Sequence, residues 1–330
     1  MESNQEKFRV SVIIPVFNAA SFVRQAVESA LLQPQTAEVV LVEDGSVDNS
    51  WEVCQQLAAE NAKVHLYRHA DGKNHGSGAT RNVAVRQSTC EYIAFLDADD
   101  FFLPGRFERV EQMFAADPQL EGVYEAIGTH IEDENSLQRW KSSGMPLTDL
   151  HTMTKQVAPE ELFAALVNGG SGNFSIIGVV VKRSVFEKTG PFDEGLRLHQ
   201  DIAFILKAAA VSRLAPGKLD EPVTMRRVHD HNRISAPRSS QLVYKTRLIF
   251  WATLWKWSQQ HLDREKQQLI LQALLKEAAR RPRFNRPLPG FLSGFRKSVQ
   301  LLLLPFEYPC MLKESAFWRA FASALPTFKT

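Results

Sequence analysis

The chain has 330 residues, 44% of them hydrophobic, with 39 Lys plus Arg against 37 Asp plus Glu. That length suits one large domain or a domain with an appendage, because single cores stop growing at roughly 250–300 residues. The composition excludes a mostly disordered, collagenous or disulfide-scaffold protein, and a formal charge of +2 gives no whole-chain reason to expect nucleic acid.

Taken in order, the first hundred residues alternate strand-like and helix-like patterns. Val10 to Val16 is an apolar, β-branched run that reads as a buried strand. Ser21 to Leu32 places Phe22, Val23, Ala26, Val27, Ala30 and Leu31 on one helical face. Val39 to Val42 is a second strand, ended by Glu43-Asp44-Gly45-Ser46, and Trp51, Cys54, Leu57 and Ala58 mark the next helix. Val64 to Tyr67 is a third strand, followed by a polar loop from Arg68 to Gly78 and a helix from Ala79 to Gln87. Tyr92 to Leu96 is the fourth strand. Such alternation argues for a mostly parallel, doubly wound α/β sheet with helices on both faces. Its ligands belong outside the strand carboxyl ends, where Phe17-Asn18, Glu43 to Ser46 and Asp97-Ala98-Asp99-Asp100 fall.

Further on, Pro104 to Ala116 reads as a helix, Gly122 to Ile131 as a strand, and residues 132–157 as a long polar loop. Pro159 to Asn168 is a helix, Ile176 to Val181 a strand, Ile202 to Val211 a helix and Pro222 to Val228 a strand. A polar loop follows from His229 to Arg238, and Gln241 to Leu275 reads as two helices. The expected organisation is an α/β domain over 1–238 and a helical extension over 239–330.

The carboxylate clusters carry the chemistry. Asp97 and Asp99 follow directly on Phe95-Leu96, and strand alternation would send them to one side with Asp100 opposed. Two converging carboxylates stay ionised together when a cation or hydrogen-bond donors offset their repulsion, and oxygen ligands favour Mg²⁺ or Mn²⁺. A solvated acidic turn would look the same. Asp44 could accept a hydrogen bond from a nucleobase or a ribose, or could simply make an Asx turn. Gly76 to Arg81 runs flexible backbone into a helix N-terminus that could hold phosphate, although it matches neither the dinucleotide fingerprint nor the P-loop.

Together, Val10-Ser-Val-Ile-Ile-Pro-Val-Phe-Asn18, Glu43-Asp-Gly-Ser46, Ala79-Thr-Arg-Asn82 and Tyr92-Ile-Ala-Phe-Leu-Asp-Ala-Asp-Asp100 resemble the family-2 glycosyltransferases of GT-A fold. Lys182-Arg183, Gly190-Pro-Phe-Asp-Glu194 and Gln200-Asp201 extend the resemblance, which covers roughly residues 8–236. It implies that 1–238 is the catalytic domain, with 8–100 binding the nucleotide-sugar and 101–238 forming the acceptor side. The implied enzyme is inverting and moves a sugar from a nucleotide-sugar donor, typically UDP-linked, to a hydroxyl of a glycan, polysaccharide or lipid-linked acceptor. Pro15, Phe17, Asn18, Glu43 and Asp44 would border the nucleotide, with Asp44 reading the base, and Arg81 would lie near the donor phosphates. Asp97 and Asp99 would be the Asp-X-Asp pair that meets a divalent cation, Mn²⁺ or Mg²⁺, and His229 could complete that site, with His231 a weaker candidate. Asp201 would be the general base, although its position equally suits an N-cap on the helix that follows. One departure stands out: Gln200 occupies the place where the family usually has Glu. That loss of charge is the one feature favouring a different reading, a catalytically silent nucleotide-binding or assembly subunit.

The C-terminal third reads differently. From Ala278 to Phe306 there are six basic residues and no acidic one, interleaved with Phe284, Leu288, Phe291, Leu292 and Phe295. That pattern suits contact with an anionic membrane surface, and the alternative is a helix packed on the catalytic domain or on a second subunit. Three scattered cysteines (Cys54, Cys90, Cys310) give no disulfide framework or zinc site. The start carries no secretory pattern, and no apolar run approaches the ~18–20 residues that span a bilayer. The expected location is cytoplasmic, at the inner face of the membrane if the tail attaches.

Overall fold

The computed structural model describes residues 8–142, 150–230, 232, 239–280 and 317–318. The chain divides into two compact units, Met1–Ala236 and Pro237–Thr330. The first holds β1 (Val10–Val16), α1 (Val23–Leu31), β2 (Thr36–Glu43), α2 (Ser50–Glu60), β3 (Val64–Arg68), α3 (Ser77–Gln87) and β4 (Tyr92–Phe95). It continues through β5 (Phe101–Phe102), α4 (Glu108–Ala116), β6 (Gly122–Tyr124), β7 (Ile127–Ile131), α5 (Glu134–Ser142), β8 (Leu150–His151) and α6 (Pro159–Asn168). A 3₁₀ turn at Ile176–Gly178 leads into β9 (Val179–Lys182), then α7 (Val185–Thr189), α8 (Gln200–Val211), β10 (Leu214–Pro216) and β11 (Thr224–Val228).

Seven strands form the main sheet in the order β10-β6-β9-β4-β1-β2-β3. β1 runs parallel to β2 and β4, and β2 runs parallel to β3. β9 alone is antiparallel to its neighbours β4 and β6. Strands covered on both faces need apolar residues at consecutive positions, and every residue of β1 except Pro15 is buried. Pairing with β4 stops at Ile13↔Phe95, so Pro15 stands where the ladder has opened on that side. Ile14, Val16, Val39, Leu41 and Leu96 form the core with Val23, Ala26 and Val27 of α1. Full burial of each larger aliphatic side chain contributes roughly 1.5–3 kcal/mol. The parallel set brings the carboxyl ends of β1 to β4 to one edge, as expected from sequence.

A second sheet, ordered β5-β11-β7-β8, begins directly after Asp100. β11 pairs antiparallel with β5 and parallel with β7. This places the end of β11, and therefore His229, close to the acidic turn that precedes β5.

Two sequence expectations are corrected. The single strand from Gly122 to Ile131 is two strands in different sheets. The chain crosses at Glu125, whose N–H donates to Gly178 O at 2.9 Å and whose side chain meets buried Arg106 at 2.6 Å. The stretch 132–157 is not simply a loop, because α5 and β8 lie within it. Polar residues cover most of α5, with Ser136 and Trp140 buried, so its sequence lacks a broad apolar stripe.

The second unit contains α9 (Ser240–His261) and α10 (Arg264–Ala279). Both are capped by side chains: Leu242 N–H donates to Ser239 Oγ at 3.2 Å and Lys266 N–H to Asp263 Oδ1 at 2.9 Å. Tyr244 and Ala278 tie the two helices at 3.3 Å. Of the basic, apolar segment 278–306, all beyond Arg280 lies outside the described residues, as does His231. Among the described residues no helix is long and apolar enough to cross a membrane.

Candidate active site

The turns after β1 and β2 are fastened to one another. Asn18 adopts φ 51°, a left-handed conformation that Asn tolerates better than most residues. There its Oδ1 accepts from Val47 N–H at 2.9 Å, and its own N–H donates to Ser46 Oγ at 2.9 Å. Ala19 N–H donates to Ser50 Oγ and Ala20 N–H to Asp48 Oδ2. Glu43 is fully buried beneath this turn, accepts from Ser46 N–H, and lies 2.8 Å from Arg68 Nε. The Arg68 contact is electrostatic, since Glu43 Oε2 takes no well-aligned hydrogen bond. Asn18 and Glu43 therefore brace the turns after β1 and β2, whereas Phe17 is 43% exposed at the end of β1.

Asp44 is buried and faces the loop before α3. Its carboxylate accepts from His75 N–H at 2.7 Å, Gly76 N–H at 2.9 Å and Asn74 Nδ2 at 2.8 Å. His69 Nε2 approaches to 3.4 Å, stacked on His75 with ring centroids 4.3 Å apart. Burial pushes the His69 imidazole below its ordinary value, with Asp44 acting in the opposite direction. The approach is close enough to require glycine at position 45. Its φ is +70°, and a Cβ there would meet Asn74 N at 2.7 Å.

Arg81, on α3, is buried, and its Nη2 donates to Asp97 Oδ1 at 2.5 Å. Its Nε and Nη1 are buried with no hydrogen-bond partner among the described residues. The Asp97 side chain keeps 40% exposure, yet the cleft walls make loss of solvent the largest force raising its carboxyl above the usual range. Arg81 opposes that rise, and Asp99 and Asp201 add to it.

The acidic residues do not follow strand alternation, because β4 ends at Phe95 and Asp100 N–H closes a turn onto Asp97 O at 3.0 Å. Asp99 Oδ2 lies 3.1 Å from His229 Nε2 and 3.2 Å from Asn232 Nδ2. Asp100 is buried, accepts from Arg227 N–H at 2.8 Å, and has its carboxyl pushed well above the usual range by burial, then by Asp99 and Asp97. Arg227 gathers the turn. Its Nε donates to Asp99 O at 3.0 Å, its two Nη groups reach Glu132 and Gln25, and its guanidinium lies over Phe22 and Phe101.

Asp201 sits in the first turn of α8 but does not cap it. The helix is entered through His199 in a left-handed conformation, φ 68°, and no side chain makes a cap hydrogen bond. Gln200, the neighbour of Asp201, donates to Ser77 Oγ at the start of α3, the helix that carries Arg81, and the Asp201 charge adds to the rise of the Asp97 carboxyl. The structure thus gathers Arg81, Asp97, Asp99, His229 and Asp201 around the strand ends. Phe174 is buried in the core, stacked on Tyr124 with ring centroids 4.2 Å apart. Sequence reasoning missed Arg227 and Asn232 as organisers of the acidic turn. Their positions two residues before and three after His229 carry that role only once β11 is placed beside β5.

Among the described residues no group of three or more His, Cys, Asp or Glu could by itself hold a metal ion. Asp99 and His229 fit a smaller share: one carboxylate and one imidazole, with phosphate and water completing the shell of a hard ion. The imidazole nitrogen now bonded to Asp99 would have to turn its lone pair to that ion.

Comparison with known proteins accords with this architecture. The family model described as Glycosyl transferase family 2 matches residues 11–188. The chain belongs to that family. It is 31% identical over 212 residues to the succinoglycan biosynthesis protein ExoU of Rhizobium meliloti, a match spanning 61% of this chain and 57% of that protein. An uncharacterized glycosyltransferase of Rickettsia felis is 29% identical across 66% of this chain but only 33% of its own length. The chain therefore spans between a third and three fifths of these relatives. In fold it resembles S. aureus TarS 1–349 in complex with UDP-GlcNAc, with a TM-score of 0.57 and 16% identity over 96% of this chain and 90% of that one. It also resembles the mannosyltransferase PcManGT of Pyrobaculum calidifontis in complex with GDP-Man and Mn²⁺, with a TM-score of 0.51 and 17% identity over 96% of this chain and 84% of that one.

Proposed function

We propose that this chain is an inverting glycosyltransferase that moves a sugar from a nucleotide-sugar, UDP-linked, to a hydroxyl acceptor. The observation that carries the reading is that a buried arginine, two turn carboxylates and the Asp201-bearing turn lie at the carboxyl ends of a mostly parallel sheet. Arg81 supports it most specifically. Two of its buried nitrogens have no hydrogen-bond partner among the described residues, a costly state that a diphosphate oxygen would relieve. Cleavage of the sugar–diphosphate bond builds negative charge on the leaving nucleotide, which positioned cations stabilise. Asp201, in the first turn of α8, takes the proton of the attacking hydroxyl. A single displacement inverts the anomeric carbon and needs no enzyme nucleophile.

A divalent cation, Mn²⁺ or Mg²⁺, is part of the proposal, held by Asp99 and His229 with Asp97 nearby. When bound it would act as a Lewis acid on the departing phosphate. The UDP-linked donor draws support from the TarS complex with UDP-GlcNAc, and a polysaccharide or lipid-linked acceptor from the succinoglycan relative. Attachment to the inner membrane face through 278–306 rests on its six basic residues. Titration with UDP and Mn²⁺, followed by a transfer assay on Asp99→Ala, tests the reading. Loss of donor turnover is expected, and wild-type turnover by the variant would overturn it. A silent, nucleotide-binding subunit would bind UDP and never turn a donor over.

A further inference from the structure

We propose that Gln200 is a positioning residue: through Ser77 it docks the first turn of α8 onto the first turn of α3 and so fixes where Asp201 reaches into the cleft. This rests on the reading of Asp201 as the base. Gln200 is 6% exposed, a degree of burial that a polar side chain tolerates only when its amide is partnered. Its Nε2 donates to Ser77 Oγ at 2.5 Å. Gly78 leaves room for the approach, since a Cβ there would lie 3.0 Å from Gln200 Cγ. The Gln200–Ser77 contact joins the first turn of α8 to the first turn of α3.

The contact ends a longer seam. Asn82 Oδ1 accepts from Phe192 N–H at 2.8 Å, and its Nδ2 donates to Phe192 O and Glu194 Oε1, both at 2.9 Å. Arg197 Nη1 donates to Asn74 Oδ1 at 3.1 Å. The segment 192–200 is thus laced to 74–82 at three places, and Gln200 is the last tie before Asp201. The same helix α3 carries Arg81, which holds Asp97. One rigid element therefore mounts both the donor-side cation and the base-bearing turn. A neutral amide makes this tie without placing a further carboxylate beside Asp97, Asp99 and Asp201. Glutamate could make the same tie by accepting a hydrogen bond from the Ser77 hydroxyl, because a serine hydroxyl serves as donor or acceptor.

The test uses the full chain and four variants: Gln200→Ala, Ser77→Ala, the double variant and Gln200→Glu. UDP affinity with Mn²⁺ is measured by titration, and transfer by single-turnover kinetics. Either alanine change is expected to lower the transfer rate about 10- to 100-fold, as small misplacements of a catalytic group do. UDP affinity should stay within about twofold, and the double variant should be no slower than the worse single one, because both remove one contact. Gln200→Glu should restore transfer to within about threefold of wild type, since it keeps the contact. Unchanged transfer in Gln200→Ala, or losses that multiply in the double variant, would overturn the proposal while leaving the glycosyltransferase reading intact. A wild-type chain that transfers no sugar from any donor would overturn both.

Discussion

The Asp44 carboxylate accepts a hydrogen bond at 2.7 Å from the backbone N–H of His75, which lies 31 positions further along the chain. Together with Gly76 N–H and Asn74 Nδ2, that contact makes Asp44 the keystone of the loop that enters α3. Any contact to a nucleobase has to share oxygens already engaged. Asp44→Asn replaces one accepting oxygen with a donor that faces N–H groups. A loss of about 1–3 kcal/mol is expected, read from the urea midpoint. A variant as stable as wild type would show that the loop does not depend on the carboxylate.

Arg227 offers a sharper stability test. One guanidinium contacts Asp99 O, Glu132 and Gln25 and lies over two aromatic rings. Arg227→Lys keeps the charge but loses the planar fork. It should destabilise the chain by about 2–4 kcal/mol, somewhat less than the ~3–5 kcal/mol for removing one partner of a buried ion pair, because the charge is kept. Equal unfolding midpoints for variant and wild type would contradict this role.

Cys54 is fully buried, and burial, with Glu43 and Asp48 adding to it, pushes its thiol up to about 12. The thiolate is the reactive form. In the folded chain at pH 8, alkylation followed by mass spectrometry should therefore label the partly exposed Cys90 and leave Cys54 unmodified. Equal labelling of both would contradict that burial.

His151, on the edge strand β8, has its imidazole lowered to about 4 by burial, with Arg226 adding to the effect. A base whose folded value is depressed contributes stability in full above the unfolded value of about 6.5. That contribution is lost as pH falls through this window toward 4, because the unfolded chain takes up the proton first. Melting temperatures measured from pH 7 to pH 4.5 should fall more steeply for wild type than for His151→Asn. Parallel curves would show that His151 titrates normally.

Much of this architecture is written locally. Val10 to Val16 and Val39 to Val42 are apolar and β-branched because both faces are covered, so strands and their polar ends are visible in the sequence. Asp97 and Asp99 stand out because they fall directly after such a run, whereas Asp201 stands out only through the family resemblance. What joins them is not local. Gln25 meets Arg227 across 202 positions, Asn74 meets Arg197 across 123, and Asn82 meets Phe192 across 110. Those contacts exist only after the second sheet and the 192–200 segment have been placed. The division of 122–131 into two strands is similarly hidden, because Glu125 at the crossing finds its partners on α4's leading turn and on the 3₁₀ turn before β9.

The central claim is that Asp201 takes the acceptor proton in a cleft that binds the nucleotide independently of it. Asp201→Asn keeps the size of the side chain and removes its basicity. Transfer from a UDP-sugar, measured beside UDP affinity on the same preparation, tests this directly. Transfer should fall by about 10²–10⁴-fold, the usual contribution of a general base, with UDP affinity essentially retained. Transfer at the wild-type rate in that variant would contradict the account.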